Sequence, residues 1–250
     1  MTTTPAATGV LTVPSRFCGP PSSGNGGWSA GALAAFLPSG ATVRVTLRRP
    51  PPLDTTMPVT EEDGRLLATH DGDVVLEAQV GAGEVTTVAP VSADEARAAR
   101  ASYAGLTSHP FRTCFACGTG RAEGDGLRIF PGRVADAENG HTRVASTWTP
   151  DPSLAGATDP HRTDLAVAWA ALDCVGGWAG DLTERLMVLG RMTAVVEALP
   201  MIGEEHVVVG QDLGRDGRKT FTAATLYDSG GRAIGRAEHV WFAVDPAQFS

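Results

Sequence analysis

The sequence is poor in lysine, in cysteine and in clustered positive charge. Its 250 residues include a single lysine and four cysteines, and the formal net charge is −8. Basic residues stand side by side only at Arg48 and Arg49 and at Arg218 and Lys219. Nucleic acids need a denser positive surface, so a small or acyl ligand is favoured over a nucleic acid partner. Four cysteines are also too few for a disulfide scaffold, which indicates a reducing compartment.

Long apolar runs are missing as well. No stretch of the sequence reaches the roughly 20 consecutive apolar residues that a membrane helix needs. The first residues, MTTTPAATGV, lack the basic and apolar regions of a secretion signal. We therefore expect a soluble, cytoplasmic protein without a membrane partner. With 42% hydrophobic residues, the chain has enough apolar material for one large domain or two modest ones.

Two segments predict helices that have no polar face. The first spans Gly26–Leu37 and carries no charge, and the second runs from about Asp164 to Gly180 with only Asp173 charged in its interior. A short helix that is apolar on every side must be enclosed by other protein. Asp173 is then buried as well, which is costly unless its carboxylate is paired, hydrogen-bonded or protonated.

The residues after each helix read as strands separated by tight turns. The pattern predicts one buried helix followed by an antiparallel meander, used twice. An Ala- and Arg-rich segment from about Ser92 to Tyr103 predicts a linking helix, which places an N-terminal half at residues 1–105 and a C-terminal half at 106–250. The hairpin signals stand at Asp63-Gly64, Asp71-Gly72, Asp216-Gly217 and Gly230-Gly231.

Three segments resemble motifs of the hotdog-fold thioesterases, in their phenylacetyl-CoA-thioesterase-like branch. Residues 114–132 (CFACGTGRAEGDGLRIFPG) are similar to the Cys-Phe-x-Cys-Gly…Gly-Leu entry segment of that branch. Residues 170–179 (AALDCVGGWA) resemble its acid-bearing central helix, and residues 23–36 (SGNGGWSAGALAAF) resemble the helix start, where the family commonly has His-Gly-Gly. The resemblance implies an α+β double hotdog, with two antiparallel sheets that each wrap around a central apolar helix. It also implies an acyl-CoA or acyl-carrier-protein thioesterase without a cofactor, and it allows a homodimer of double hotdogs.

The two halves depart from the family pattern in complementary ways. The first half keeps the Gly-Gly helix start, but the position of the acid falls at about Ala34. The second half keeps the acid as Asp173, but RTDLA at residues 162–166 replaces His-Gly-Gly. In family dimers the helix start and the acid come from facing subunits. The resemblance therefore implies one complete site in this chain, built from Asn25, Gly26, Gly27 and Asp173.

Each of these residues has a chemical role that suits a thioester. The N-terminus of a helix offers free N–H groups to a developing oxyanion, and we expect the N–H of Gly27 or Trp28 to be the donor. Asn25 either caps the helix or bonds the carbonyl group. Asp173 either activates water or attacks the carbonyl itself. In the alternative structural role, Asp173 bonds a backbone group or an arginine such as Arg191.

Three further groups of residues complete the sequence-based hypotheses. Trp28 either packs in the core or lines an acyl tunnel. Arg218 and Lys219, in the GRDGRKT turn, are candidates to bind the phosphates of coenzyme A. Cys114 and Cys117 have zinc-ligand spacing, but Cys18, His109 or Cys174 would have to converge on them, so we predict no metal.

Two other functions fit the same pattern. One is a non-catalytic acyl-thioester-binding protein, because Asn25 stands where the family usually has His. The other is a hotdog dehydratase or hydratase, which needs an acid and a histidine near the helix start, and Asp159 and His161 offer only a weak version of that pair.

Overall fold

A computed structural model of the chain describes residues 7–245 and residue 247. The first half contains β1 (Ala7–Thr12), α1 (Gly26–Ala34), β2 (Val43–Leu47), β3 (Thr56–Glu62), β4 (Arg65–His70) and β5 (Asp73–Val80). The connection between the halves contains α2 (Ala93–Ala99). The second half contains β6 (Gly132–Arg133), β7 (Arg143–Trp148), α3 (Leu165–Ala179), β8 (Met187–Val196), β9 (His206–Asp216), β10 (Lys219–Tyr227) and β11 (Ala233–Ala243). None of the helices within these residues is long and apolar enough to cross a membrane.

All eleven strands belong to one sheet, with the order β1-β3-β4-β5-β2-β8-β11-β10-β9-β7-β6. The two sheets expected of a double hotdog are thus joined edge to edge into one continuous sheet. The halves join where Val43–Thr46 of β2 pair antiparallel with residues 191–194 of β8. An unpaired strand edge exposes a row of backbone donors and acceptors, and this pairing satisfies that edge in both halves.

The internal repeat is visible in the strand order. On either side of the β2–β8 pair, the strands run β5, β4, β3, β1 in one direction and β11, β10, β9, β7 in the other. Each half is thus a strand, a helix and four antiparallel strands, of which the last three form a meander and the first pairs with the last. The three-stranded meander agrees with the prediction, whereas the pairing of the first strand with the last, and the strand before each helix, β1 or β7, were missed. The division at residue 105 stays a prediction.

The two apolar helices differ in length and in burial. In α3, 14 of the 15 residues are buried, and the helix packs against β7 to β11. This agrees with the burial expected for a helix without a polar face. The shorter α1 ends at Ala34 rather than at Leu37. Pro38 explains the early end, because a proline disfavours the helical conformation of the residue before it.

The linking helix is also shorter than predicted and lies on the other face of the sheet. Ser92 caps α2 by accepting the N–H of Glu95, and a 3-10 turn at residues 100–102 follows. The helix packs on β7 and β9, so it contacts the C-terminal half. Successive side chains of a strand point to opposite faces, which gives this face a second, smaller core. That core contains Val88, Ala96, Ala145, Val207, Val209, Ala223 and Tyr227.

Glycines allow α1 to pack closely against α3. A Cβ atom at Gly27 would lie 2.4 Å from Asp173 Cβ, and one at Gly31 would lie 2.7 Å from Trp169 Cβ and 2.8 Å from Ala166 Cα. Residues four positions apart share one face of a helix. The two glycines therefore form a flat strip on α1 against which the backbone of α3 lies.

We expect Gly31→Ala to destabilise the protein by about 1–3 kcal/mol, because the added methyl group overpacks the contact between the helices. The free energy of unfolding is measured by urea denaturation. Gly230→Ala is the control, since its Cβ would meet only Asp228 Oδ1 at 3.4 Å in an exposed turn. The control should change stability by no more than about 0.5 kcal/mol. Equal stability of the two variants would contradict the close packing.

Candidate functional site

The carboxylate of Asp173 lies against the first turn of α1. Its Oδ2 atom accepts hydrogen bonds from the backbone N–H of Gly27 at 2.9 Å and from Asn25 Nδ2 at 3.0 Å. The Asn25 Oδ1 atom accepts the N–H of Trp28 at 2.8 Å, so Asn25 also caps the helix. The structure thus brings together the residues that the sequence predicted from opposite halves.

The environment of Asp173 disfavours its charged form. The residue is 2% exposed, and its Oδ1 atom has no hydrogen-bond partner within the described residues. Burial raises the pKa of Asp173 to about 7, and a negative charge on Cys114 adds to the rise. The bonds from Gly27 and Asn25 act in the opposite direction. One carboxylate oxygen is therefore fixed, while the other is buried and unpaired.

A cavity of about 320 Å³ reaches Asp173 from the surface. The buried part of its lining includes Asn25 and Asp173, and the exposed part includes Arg48, Arg49 and Arg218. A carboxylate thus lies at the closed end and cations lie at the opening. Between them the wall is mainly apolar and includes Leu47, Phe111, Leu182, Met187, Leu189, Trp241 and Phe242.

The amide groups predicted as oxyanion donors are already engaged. The Gly27 N–H donates to Asp173, and the Trp28 N–H donates to Asn25. The prediction of either as a free donor is therefore wrong. In residues 7–245, the Gly26 N–H has no hydrogen-bond partner, and Gly26 lines the cavity. Gly26 is the amide at this helix start that remains available to a ligand.

Three thiols surround the same end of the cavity. The Sγ atoms of Cys114, Cys117 and Cys174 all lie within 4.8 Å of one another, and Cys114 Sγ is 3.6 Å from Cys174 Sγ. Asn25 Nδ2 lies 3.8 Å from the sulfurs of Cys114 and Cys174. Cys18 is buried outside this cluster, and its thiol donates a hydrogen bond to the Thr113 carbonyl oxygen. On the sequence alone, a zinc site required Cys18, His109 or Cys174 to converge on Cys114 and Cys117. In the structure, Cys174 does so.

The thiols of this cluster differ in acidity. Hydrogen bonds from the Cys117 and Cys174 thiols hold the pKa of the Cys114 thiol well below its ordinary value, although burial opposes them. Burial raises the pKa of Cys117, and the bond to Cys114 raises that of Cys174. Cys114 is therefore the member that carries negative charge most readily.

The Cys-x-x-Cys turn is held rigidly at its second cysteine. The carbonyl oxygen of Cys117 accepts hydrogen bonds from the Tyr103 hydroxyl and from His109 Nε2, each at 3.0 Å. His109 Nδ1 accepts the N–H of Phe111, so both ring nitrogens of His109 are in use. Burial lowers the pKa of His109, which keeps the ring neutral.

The structure separates the remaining sequence-predicted residues from the site or from one another. Trp28 stacks on Phe17 with ring centroids 4.2 Å apart and does not line the cavity. Arg218 lines the cavity, but Lys219 does not. Arg191 donates to Thr46 rather than to Asp173, so the predicted structural pairing with this arginine is wrong.

The acid and histidine considered for a dehydratase do not reach the cavity either. The backbone N–H of His161 donates to Asp159 Oδ1 in the loop that precedes α3. Neither residue lines the cavity. The apolar wall from β8 and β11 was not predicted at all, because it combines strands that are about 50 residues apart in sequence.

Comparisons with known proteins were made on sequence and on structure. No protein-family model and no curated protein sequence matches the chain. A putative thioesterase from Novosphingobium aromaticivorans is 13% identical, with 94% of this chain and 95% of that chain covered and a TM-score of 0.62. A conserved protein of unknown function with hot dog fold from Alicyclobacillus acidocaldarius is 13% identical, with 96% and 97% covered and a TM-score of 0.58.

A third similar structure is the acyl-CoA thioesterase II TesB2 from Mycobacterium marinum. The two sequences are 11% identical. The match covers 96% of this chain and 93% of the TesB2 chain, with a TM-score of 0.56. At these identities, the comparisons show the fold. The chain has the α+β hotdog fold, and the similarity extends over nearly its whole length.

We expect Asn25→Ala to destabilise the protein by about 2 kcal/mol or more, because it removes a helix cap and also a hydrogen bond to a buried carboxylate. Ser92→Ala is the matched control, since it removes the cap of α2 and nothing else. Its cost should be about 1 kcal/mol. Urea denaturation of both variants measures the difference, and equal costs would show that the bond from Asn25 to Asp173 contributes no stability.

Proposed function

We propose that this protein hydrolyses acyl-CoA thioesters and that Asp173 activates the attacking water. The observation that carries the proposal is the Asp173 carboxylate, which is held by the N-terminus of α1 at the closed end of an apolar cavity. A buried carboxylate oxygen without a partner lowers stability and has a perturbed pKa, and such groups are concentrated at functional sites. Two structures that match nearly the whole of this chain are named as an acyl-CoA thioesterase II and a putative thioesterase, and these names support the same reaction.

The geometry supports a direct hydrolysis. The Oδ1 atom of Asp173 accepts a proton from water while the water oxygen bonds to the thioester carbon. The carbonyl oxygen becomes an oxyanion, which the Gly26 N–H and the positive end of α1 stabilise. When the tetrahedral intermediate collapses, the carbon–sulfur bond breaks and the proton on Asp173 passes to the leaving thiolate. The products are a carboxylic acid and a thiol.

Attack by Asp173 itself is the alternative that gives the same products. It would form a mixed anhydride between the acyl group and the carboxylate, which water then hydrolyses. The two routes differ in where the oxygen of water ends. A single turnover in ¹⁸O-labelled water leaves the protein unlabelled in the direct route, whereas attack of water on the Asp173 carbon of the anhydride labels that carboxylate.

The charge at the opening of the cavity supports coenzyme A as the carrier. Three exposed arginines line that opening, and coenzyme A carries phosphates at the end remote from its thioester. Arg48 is paired with Glu77 and Arg49 with Asp73, each at 2.9 Å. Arg218 has no ion-pair partner among the described residues. We therefore assign the main phosphate contact to Arg218.

We expect Asp173→Asn to lower kcat for hydrolysis by about 10²–10⁴-fold, because the amide cannot accept the proton from water. The purified chain is incubated with a panel of acyl-CoAs, and free thiol is followed with a chromogenic disulfide. Asp164→Asn is the matched control, because Asp164 is an exposed carboxylate at the start of the same helix. Wild-type turnover by Asp173→Asn would overturn the assignment. Binding of acyl-CoA without turnover by the parent would instead make the protein an acyl-thioester binder.

Arg218→Ala should raise KM for acyl-CoA about tenfold and weaken its salt dependence, while kcat stays unchanged, because the lost contact is made equally in substrate and transition state. Lys219→Ala is the control from the same turn, and it should leave KM unchanged. Hydrolysis of a short thioester without phosphates should not respond to either variant. An equal rise of KM in both variants would place the phosphates on the turn as a whole rather than on Arg218.

A further inference from the structure

The three thiols of Cys114, Cys117 and Cys174 form a cluster that hydrolysis by Asp173 does not use. Two of them come from one turn, and the third comes from the middle of α3, 57 residues after Cys117. All three are buried and line the closed end of the cavity. The fourth cysteine, Cys18, lies outside the cluster.

The spacing of these sulfurs suits a tetrahedral metal ion. A zinc ion binds thiolate sulfur at about 2.3 Å, which sets two sulfurs of a tetrahedral site about 3.8 Å apart. Cys114 and Cys174 are 3.6 Å apart, and no pair in the cluster exceeds 4.8 Å. A small contraction would therefore bring three sulfurs onto one ion. A purely thiolate donor set selects soft or borderline ions such as zinc over magnesium or calcium.

The backbone of the turn is built to hold its two cysteines on one side. The Gly118 N–H donates to the Cys114 carbonyl oxygen at 2.9 Å. A Cβ atom at Gly118 would lie 2.5 Å from the carbonyl oxygens of Arg112 and Cys114, so only glycine fits there. Outside the sulfurs, the Cys117 carbonyl oxygen is fixed by Tyr103 and His109. Such outer contacts orient metal ligands in known sites.

Among the residues that the structure describes, none supplies the fourth ligand of such an ion. His109 is the nearby candidate, but both of its ring nitrogens are hydrogen-bonded to the backbone. The cluster that meets the metal-ligand distances does not include Asp173. Three protein ligands and one position open to a cavity are the arrangement of a reactive rather than a purely structural zinc site.

We propose that Cys114, Cys117 and Cys174 bind one zinc ion at the closed end of the cavity, with its fourth position open to water or to a ligand. All three cysteines bind as thiolates, so binding releases the protons that their thiols still carry and leaves a zinc–thiolate unit of net charge −1. Asn25 Nδ2 donates toward two of the three sulfurs and stabilises that negative charge. The inference goes beyond thioester hydrolysis, because the three zinc ligands are not among the residues that we propose for hydrolysis.

The test measures metal content in the full-length chain. The parent is purified under reducing conditions without chelator, and zinc is quantified by inductively coupled plasma mass spectrometry. We expect one zinc ion per chain in the parent and in Cys18→Ser. In Cys114→Ser, Cys117→Ser and Cys174→Ser, zinc affinity should fall at least about tenfold, as competition with a chromophoric chelator measures.

A second measurement on the parent keeps the proposal testable if a cysteine variant fails to fold. Cobalt(II) added to the metal-free parent should give the intense thiolate-to-cobalt absorption of a tetrahedral sulfur site, and zinc should displace it. Only the weak spectrum of the hydrated ion would overturn the proposal. Full zinc retention by a folded Cys174→Ser variant would do the same. Neither measurement requires turnover, so failure of zinc binding and failure of hydrolysis are distinguishable.

Discussion

The contact between α1 and α3 is the constraint on which the site depends. The two helices come from opposite halves of the chain, and Gly27 and Gly31 let their backbones approach closely. That approach is what places the Gly27 N–H 2.9 Å from Asp173. Any side chain at position 27 would push α3 away and break the hydrogen bond that fixes the carboxylate. Glycine at position 27 is therefore required both for the packing of the helices and for the position of the carboxylate.

Burial of Asp173 follows from the same contact, and its cost is met by the rest of the fold. One oxygen receives two hydrogen bonds, but the other has no partner in the part of the chain that is described. A carboxylate in such a position lowers stability. The apolar enclosure of α3, with 14 buried residues, supplies the opposing free energy. A polar group of this kind is tolerated in the interior where the surrounding packing is extensive.

The convergence of Asp173 with Asn25, Gly26 and Gly27 could be predicted, because each half lacked what the other kept. Which backbone N–H at the start of α1 stays free could not be predicted. Gly27 N–H was taken by Asp173, and a sequence does not show which donor a buried acceptor selects. Arg218 stands in the two-residue turn between β9 and β10, whereas Lys219 is the first residue of β10. The Asp-Gly hairpin signal located this turn, but it did not show which of the two side chains reaches the cavity.

Which strands join the two halves, and whether the three thiols meet, could not be derived from the sequence for a common reason. Periodicity shows that a strand has a buried face, but it does not show which strand lies at its edge, so the pairing of β2 with β8 left no signal. Likewise, Cys174 lines the same end of the cavity as Asp173, which precedes it on α3. Its approach to Cys114 depends on where the Cys-x-x-Cys turn crosses that helix.

The cavity has two zones, with the acid and the thiols at its closed end and the arginines at its opening. The groups that we propose to exchange protons and to bind zinc lie where water is excluded, since electrostatic interactions are strongest there. Arginines lie at the opening, where their hydration is kept until a ligand arrives. The apolar wall between the zones contributes no charge, so a ligand that spans it favourably has an anionic end and an apolar body. The substrate that we propose, an acyl thioester of coenzyme A, has both.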